Sequence, residues 1–173
     1  FVAASNGHFE IVKMLLIFGA LLNASNRDNM TPLYIASCNG NSKIVEVLIA
    51  SGALLNKADY DGRTPISIAT ANGHFDVVKM LITARASLDK SDSDGLTPLY
   101  IAIDKGDVKI VKILIAAGVS LDKGVNNYGE IPLFIASARG HLKIVKMLIA
   151  GGALLDKADN DGYTPLYRAS YEG

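Results

Sequence analysis

RTPISIATANGHFDVVKMLI, Arg63 to Ile82, holds a Thr-Pro pair, a short apolar run, a Gly-His pair and a second apolar run. IPLFIASARGHLKIVKMLI, Ile131 to Ile149, says nearly the same, with its proline 67 residues after Pro65. Thr-Pro recurs at Thr31-Pro32, Thr97-Pro98 and Thr164-Pro165, and Ile131-Pro132 fills the same slot. Successive intervals are 33, 33, 34 and 33 residues. A fixed period of this size marks a repeat architecture, in which each unit buries its apolar face against the next. The one long interval falls in LDKGVNNYGEIP, where an extra residue sits between Lys123 and Tyr128, and insertions collect in loops.

Each unit has a legible local physics. Thr64 suits an N-cap and Pro65 the first helical position, where a missing N–H costs nothing. PISIATAN is then a short helix closed by Gly73. FDVVKMLITA predicts a second helix, apolar at Val77, Val78, Met80, Leu81 and Ile82, with Asp76 and Lys79 outside. ASLDKSDSDGL carries the Asp, Ser and Gly of turns and predicts a hairpin-like finger. Helices this short are marginal alone, so stacking must supply the core.

Bulk composition narrows the function. Half of the 173 residues are apolar and a fifth charged, which is ordinary for a soluble globular chain. Seventeen acids balance seventeen bases, so neither nucleic acid nor an anionic membrane is the expected partner. No stretch reaches the ~18 apolar residues of a membrane span. FVAASNGHFE lacks the basic start and apolar core of a signal peptide. A lone cysteine, Cys38, forbids an internal disulfide and fits a reducing compartment, which predicts a cytoplasmic location.

The 33-residue period together with DGxTPLxxA, GHxxxVKxLI and GAxLNxAD resembles the ankyrin repeat along the whole chain. DNDGYTPLYRAS, Asp159 to Ser170, is the best single instance, and the alanine of the first helix recurs at 3, 36, 69, 102, 136 and 169. The resemblance implies an all-α ankyrin-repeat solenoid of stacked helix-turn-helix units with protruding β-hairpin-like loops. It divides a single array into a partial repeat at 1–25, full repeats at 26–58, 59–91, 92–125 and 126–158, and a partial repeat at 159–173. Both ends fall inside a repeat, so a piece of a longer array is expected, with self-association through uncapped ends.

Three slots depart from the family pattern. Where the family usually has histidine after Thr-Pro-Leu, this chain has Tyr34, Ser67, Tyr100, Phe134 and Tyr167. Ring packing or water is expected to replace the usual hydroxyl–imidazole bond. Arg85 stands where Gly19, Gly52, Gly118 and Gly152 end the second helix, a costly choice if the backbone there is left-handed. Leu21, Leu54 and Leu154 occupy a slot that usually holds Asp, and packing between repeats is the expected reason.

Nothing in the residues points to catalysis. His8, His74 and His141 share one repeat slot two units apart. With helices packing at ~8–10 Å they stand roughly 16–20 Å from each other, too far to share a metal. Cys38 has no histidine in its own unit to act as base. SDSDG, Ser91 to Gly95, lacks the terminal Glu of a calcium loop and is better explained by Asp side chains bonding their own backbone. No phosphate-binding glycine motif occurs. Catalytic residues, metal and cofactor are all expected to be none.

Charge is unevenly placed. The loops hold eleven acids and six bases, and the helices the reverse. Lys109, Lys112, Lys143 and Lys146 form like-charged pairs where other units have Glu10–Lys13 or Asp76–Lys79, and a solvated face is their default. In the family, fingers and first-helix ends line a concave groove that grips protein partners. Carried onto this chain, that face comprises three rows: Met30, Arg63, Leu96, Glu130 and Tyr163; Arg27, Tyr60, Ser93, Asn127 and Asn160; Asn39, Asn72, Asp104, Lys105 and Arg139. A protein-interaction scaffold is the leading expectation. The alternative is a structural or regulatory segment of a larger protein, such as a channel, kinase or ubiquitin-ligase adaptor, making mainly intramolecular contacts.

Overall fold

Thr31, Thr64 and Thr97 are buried, and each hydroxyl accepts the N–H three residues on, from Tyr34, Ser67 and Tyr100 at 3.2–3.3 Å. A short helix starts behind each of them with proline first. Ile131 starts the corresponding fourth helix without a side-chain cap and is itself 1% exposed. The structure, a computed structural model, describes residues 1–123 and 126–172. The extra residue expected between Lys123 and Tyr128 falls around Gly124 and Val125, which lie outside the described residues.

The elements group into two units, Phe1–Ser87 and Leu88–Gly173. The first unit holds α1 (Val2–Ser5), α2 (Phe9–Ile17), α3 (Pro32–Cys38), α4 (Ser42–Ala50), α5 (Pro65–Ala71) and α6 (Phe75–Thr83). The second holds α7 (Pro98–Asp104), α8 (Val108–Ala116), α9 (Pro132–Ala138), α10 (Leu142–Ala150) and α11 (Pro165–Glu172). Among the described residues there is no strand, as an all-α repeat array requires. First helices pack on first helices (α1, α3 and α5; α7, α9 and α11), and second helices on second helices (α2, α4 and α6; α8 and α10).

The sequence period becomes layered packing. Ala36 and Ala69 in the first unit, and Ala102 and Ala136 in the second, are fully buried where helices meet. Around them close Leu33, Ile44, Leu48, Ile66, Val78 and Leu81 in the first unit. Leu99, Ile103, Ile110, Leu114, Phe134, Ile144 and Leu148 do the same in the second. Each such side chain gains about 1.5–3 kcal/mol by leaving water, which short helices cannot obtain singly.

Polar rows bind each repeat to the next. Asn23 Oδ1 accepts Leu54 N–H at 2.9 Å and Asn56 Oδ1 accepts Ser87 N–H at 2.8 Å. In the second unit Asp89 accepts Ser120 N–H at 3.3 Å and Asp122 accepts Leu154 N–H at 2.8 Å. Each finger tip is closed by an Asn or Asp that accepts backbone N–H groups within its own turn. Asn26 takes Asp28 and Met30, Asp92 takes Asp94 and Leu96, and Asp159 takes Asp161 and Tyr163. Asp92 is thus a turn residue, as its place beside Gly95 suggests.

Two expectations fail. Leu21 is 81% exposed and Leu54 and Leu154 are about half exposed, so this row does not pack between repeats; it lies on the solvent side of the loop. At Tyr34 neither ring packing nor water replaces the missing imidazole. The phenol donates to Asp59 Oδ2 at 2.7 Å, a buried bond to the following repeat. Ser67 instead bonds Thr64 Oγ1 at 2.8 Å, while Tyr167 does use ring packing, stacking on Tyr163 with centroids 4.7 Å apart. Arg85 does adopt φ 66°, the left-handed conformation that its glycine equivalents take.

Candidate functional site

The fingers are held by backbone as well as by side chains. In the first unit Tyr60 N–H donates to Asp28 O of the preceding finger at 3.3 Å, and in the second Asn160 N–H donates to Tyr128 O at 3.0 Å. Tyr60 is left 77% exposed on this pinned tip, with Arg27 exposed in the equivalent position one repeat earlier. Met30 is half-buried. Arg63 is tied down: its guanidinium lies 2.9 Å from Asp59 and 2.7 Å from Asp61. Asp59 is therefore gripped from both sides, by Arg63 and by the Tyr34 hydroxyl. Burial first, and then the bond to Asp59, pushes the Tyr34 phenol well above its ordinary value of 10.0.

Asn39 and Asn72 are exposed at the ends of α3 and α5, yet their amides are engaged. Asn39 Nδ2 donates to Ser5 O and Asn72 Nδ2 to Cys38 O, both at 2.8 Å. They join repeats as well as facing solvent.

In the second unit Ser93, Lys105, Asn127 and Asn160 are exposed and Leu96 is half-buried. Arg139 Nε donates to Asp104 at 2.8 Å, and that bond raises the guanidinium's affinity for its proton. Glu130 accepts from Asn126. Between these groups opens a polar cleft of about 160 Å³, lined by Tyr100, Glu130, Ile135, Ala138, Arg139 and Arg168. Tyr100 titrates above its ordinary range, chiefly through burial and then through the nearby carboxylates of Asp104 and Glu130. Arg168 also lies over the Phe134 ring, 5.9 Å from its centroid. Glu130 and Arg139 are thus brought together. Tyr163 stands apart from them, 41% exposed, at the head of a stack that continues through Tyr167 to Tyr171.

Three residues of this face escape the row-by-row reading. Tyr128 is 68% exposed where the equivalent positions hold Asp28, Asp61, Asp94 and Asp161. That single break in an acidic row was the available signal. Tyr100 and Arg168 enter the cleft from slots whose sequence suggests ring packing at a turn or no role at all.

The histidines share one place in the repeat, and at His74 the ring bridges to the preceding repeat. His8, His74 and His141 directly precede α2, α6 and α10. His74 Nε2 lies 2.9 Å from Cys38 O, and a Cβ at Gly40 would come within 2.6 Å of its ring. Among the described residues no group of His, Cys, Asp or Glu is placed to hold a metal ion.

A family model for ankyrin repeats matches residues 1–92, 51–126, 83–157 and 121–173, which together span the chain. The chain belongs to the ankyrin repeat family. The crystal structure of an ankyrin repeat domain from Acinetobacter baumannii is similar to it, with a TM-score of 0.92 and 32% sequence identity over 99% of this chain and 90% of that one. No curated protein matches the chain. Ankyrin repeats are generally protein-interaction modules, which places this chain in that broad class. Among the described residues, no helix of this ankyrin array is long and apolar enough to cross a membrane.

Proposed function

We propose that this ankyrin array is a non-catalytic scaffold that binds a protein partner on the face made by its fingers and first-helix ends. The observation that carries the reading is a set of large aromatic side chains held out on immobilised backbone. Tyr60 and Tyr128 project from fingers pinned to their neighbours, and Tyr163 is steadied by its stack on Tyr167. Exposed aromatics on rigid supports make good anchors, because little conformational freedom is lost when a partner covers them. Arg27, Ser93, Asn127 and Asn160 give the polar surround. In the first unit Met30, Asn39 and Asn72 add to this surface and Arg63 shapes it through its ion pairs; in the second Leu96 and Lys105 add to it and Asp104, Glu130 and Arg139 shape it through their ion pair and hydrogen bonds.

The test is capture from a lysate of the source organism with Tyr60→Ala plus Tyr163→Ala beside the unaltered chain. Loss of the captured partner is expected, because truncating an anchor residue costs about 2 kcal/mol or more. If the double variant retains every partner while keeping its melting temperature, the finger face is not the binding face.

A further inference from the structure

α8 and α10 carry Lys109, Lys112, Lys143 and Lys146 and no acid at all. All four lysines are exposed, and among the described residues none is paired with a carboxylate. Asp107, just before α8, caps the helix, its Oδ1 accepting the N–H groups of Lys109 and Ile110, both at 3.0 Å. Between the two helices runs a groove of about 670 Å³, with Ile115, Met147, Ala150 and Gly151 in its lining and Lys112, Lys143 and Lys146 beside them. The corresponding groove between α4 and α6 in the first unit is lined by Glu46 and Asp76 as well as Lys79, so its lining carries a slight negative excess. The excess of positive charge therefore belongs to the second groove and not to the repeat as such.

We propose that the groove between α8 and α10 docks an amphipathic helix with an apolar ridge and acidic flanks. Its chemistry selects that occupant. Small residues (Ala116, Ala150 and Gly151) let a backbone come close, and Ile115 and Met147 offer apolar surface to a ridge of leucines. Lys112 on the α8 side and Lys143 and Lys146 on the α10 side border the groove, so carboxylates on both flanks of a guest would meet positive charge. Nine residues of helix run about 13 Å, enough for two to three turns of guest. An anionic bilayer is the competing occupant, since Leu142 and Ile149 of α10 are exposed, but the groove's own Ile115 and Met147 are only partly exposed and suit a guest that reaches between the helices.

The probe is a labelled synthetic helix of about 18 residues, leucine at i, i+3, i+4 and i+7 and glutamate elsewhere, titrated by fluorescence anisotropy against the whole chain. Saturable one-to-one binding is expected, weakening steadily from about 50 mM to about 500 mM salt. Lys112→Glu plus Lys146→Glu should lower affinity at least about tenfold, and Lys112→Gln plus Lys146→Gln by less. The Glu double variant should in turn bind the same peptide with lysine in place of glutamate, which the unaltered chain should ignore. Unchanged affinity in the Gln pair and the Glu pair, or equal affinity for a scrambled peptide, overturns the proposal. So does co-sedimentation with phosphatidylserine vesicles in the absence of peptide binding. Tyr60→Ala plus Tyr163→Ala should leave the peptide affinity unchanged, which keeps this site separable from the finger face.

Discussion

Arg85 is a residue in a conformation that suits it poorly. At φ 66° an L side chain crowds its own backbone, at a cost of about 1 kcal/mol, and the matching glycines show nothing within 4 Å that would need the side chain. Arg85→Gly should raise the melting temperature by about 2–4 °C in a thermal scan. Tyr34 works in the opposite direction. Tyr34→Phe removes a donor from the buried carboxylate of Asp59 and should destabilise by about 1–3 kcal/mol in denaturant titration. Its pH dependence has a definite sign. The folded phenol holds its proton above pH 10, where the unfolded one releases it, so the stabilisation is complete below pH 10 and is lost as pH rises beyond it. The gap between wild type and Tyr34→Phe should accordingly narrow in alkaline solution; a gap that stayed constant to pH 12 would contradict the buried bond. The sequence displayed Arg85 as an anomaly because its slot is otherwise glycine. It hid the Tyr34–Asp59 bond, whose partners are 25 residues apart and meet only through stacking.

At the scale of elements, local signals carried the helix boundaries and little else. Thr-Pro marks the start and glycine the end of α3, α5 and α7 because capping uses neighbouring residues. α9 shows how far that logic bends: Ile131 gives up the cap, and its side chain is buried instead. The row Asn23, Asn56, Asp89 and Asp122 was harder to interpret, since its acids count as surface charge until the stack shows each one accepting an N–H from the next repeat. Asn56→Ala should speed hydrogen exchange of the Ser87 amide about fivefold, equivalent to roughly 1 kcal/mol. No local feature told which side of the loop Leu21, Leu54 and Leu154 would face. On the candidate face, the spacing of the rows points to Tyr60 and Tyr163, which are exposed, but not to a cleft to which α7, α9 and α11 all contribute.

Across the whole molecule, stability is distributed through contacts between neighbouring repeats. Leu114→Ala, at a fully buried position of α8, should cost about 2–5 kcal/mol. Because α8 packs on α7 and α10, amide protection should fall most in those helices and least in α1–α4. Hydrogen exchange followed by mass spectrometry reads this directly; an equal loss at every helix would mean that the chain opens as one block.

Gly52 and Gly118 sit at φ 85° and 82° with open space where a side chain would stand. For an amino acid of inverted chirality that backbone is the relaxed one. Peptide synthesis or ligation could therefore place D-alanine at either position, narrowing the disordered ensemble and hardening the fold by about 0.4–1 kcal/mol. L-alanine at the same sites should soften it, so the pair of enantiomers would act as a handedness gauge for the helix ends.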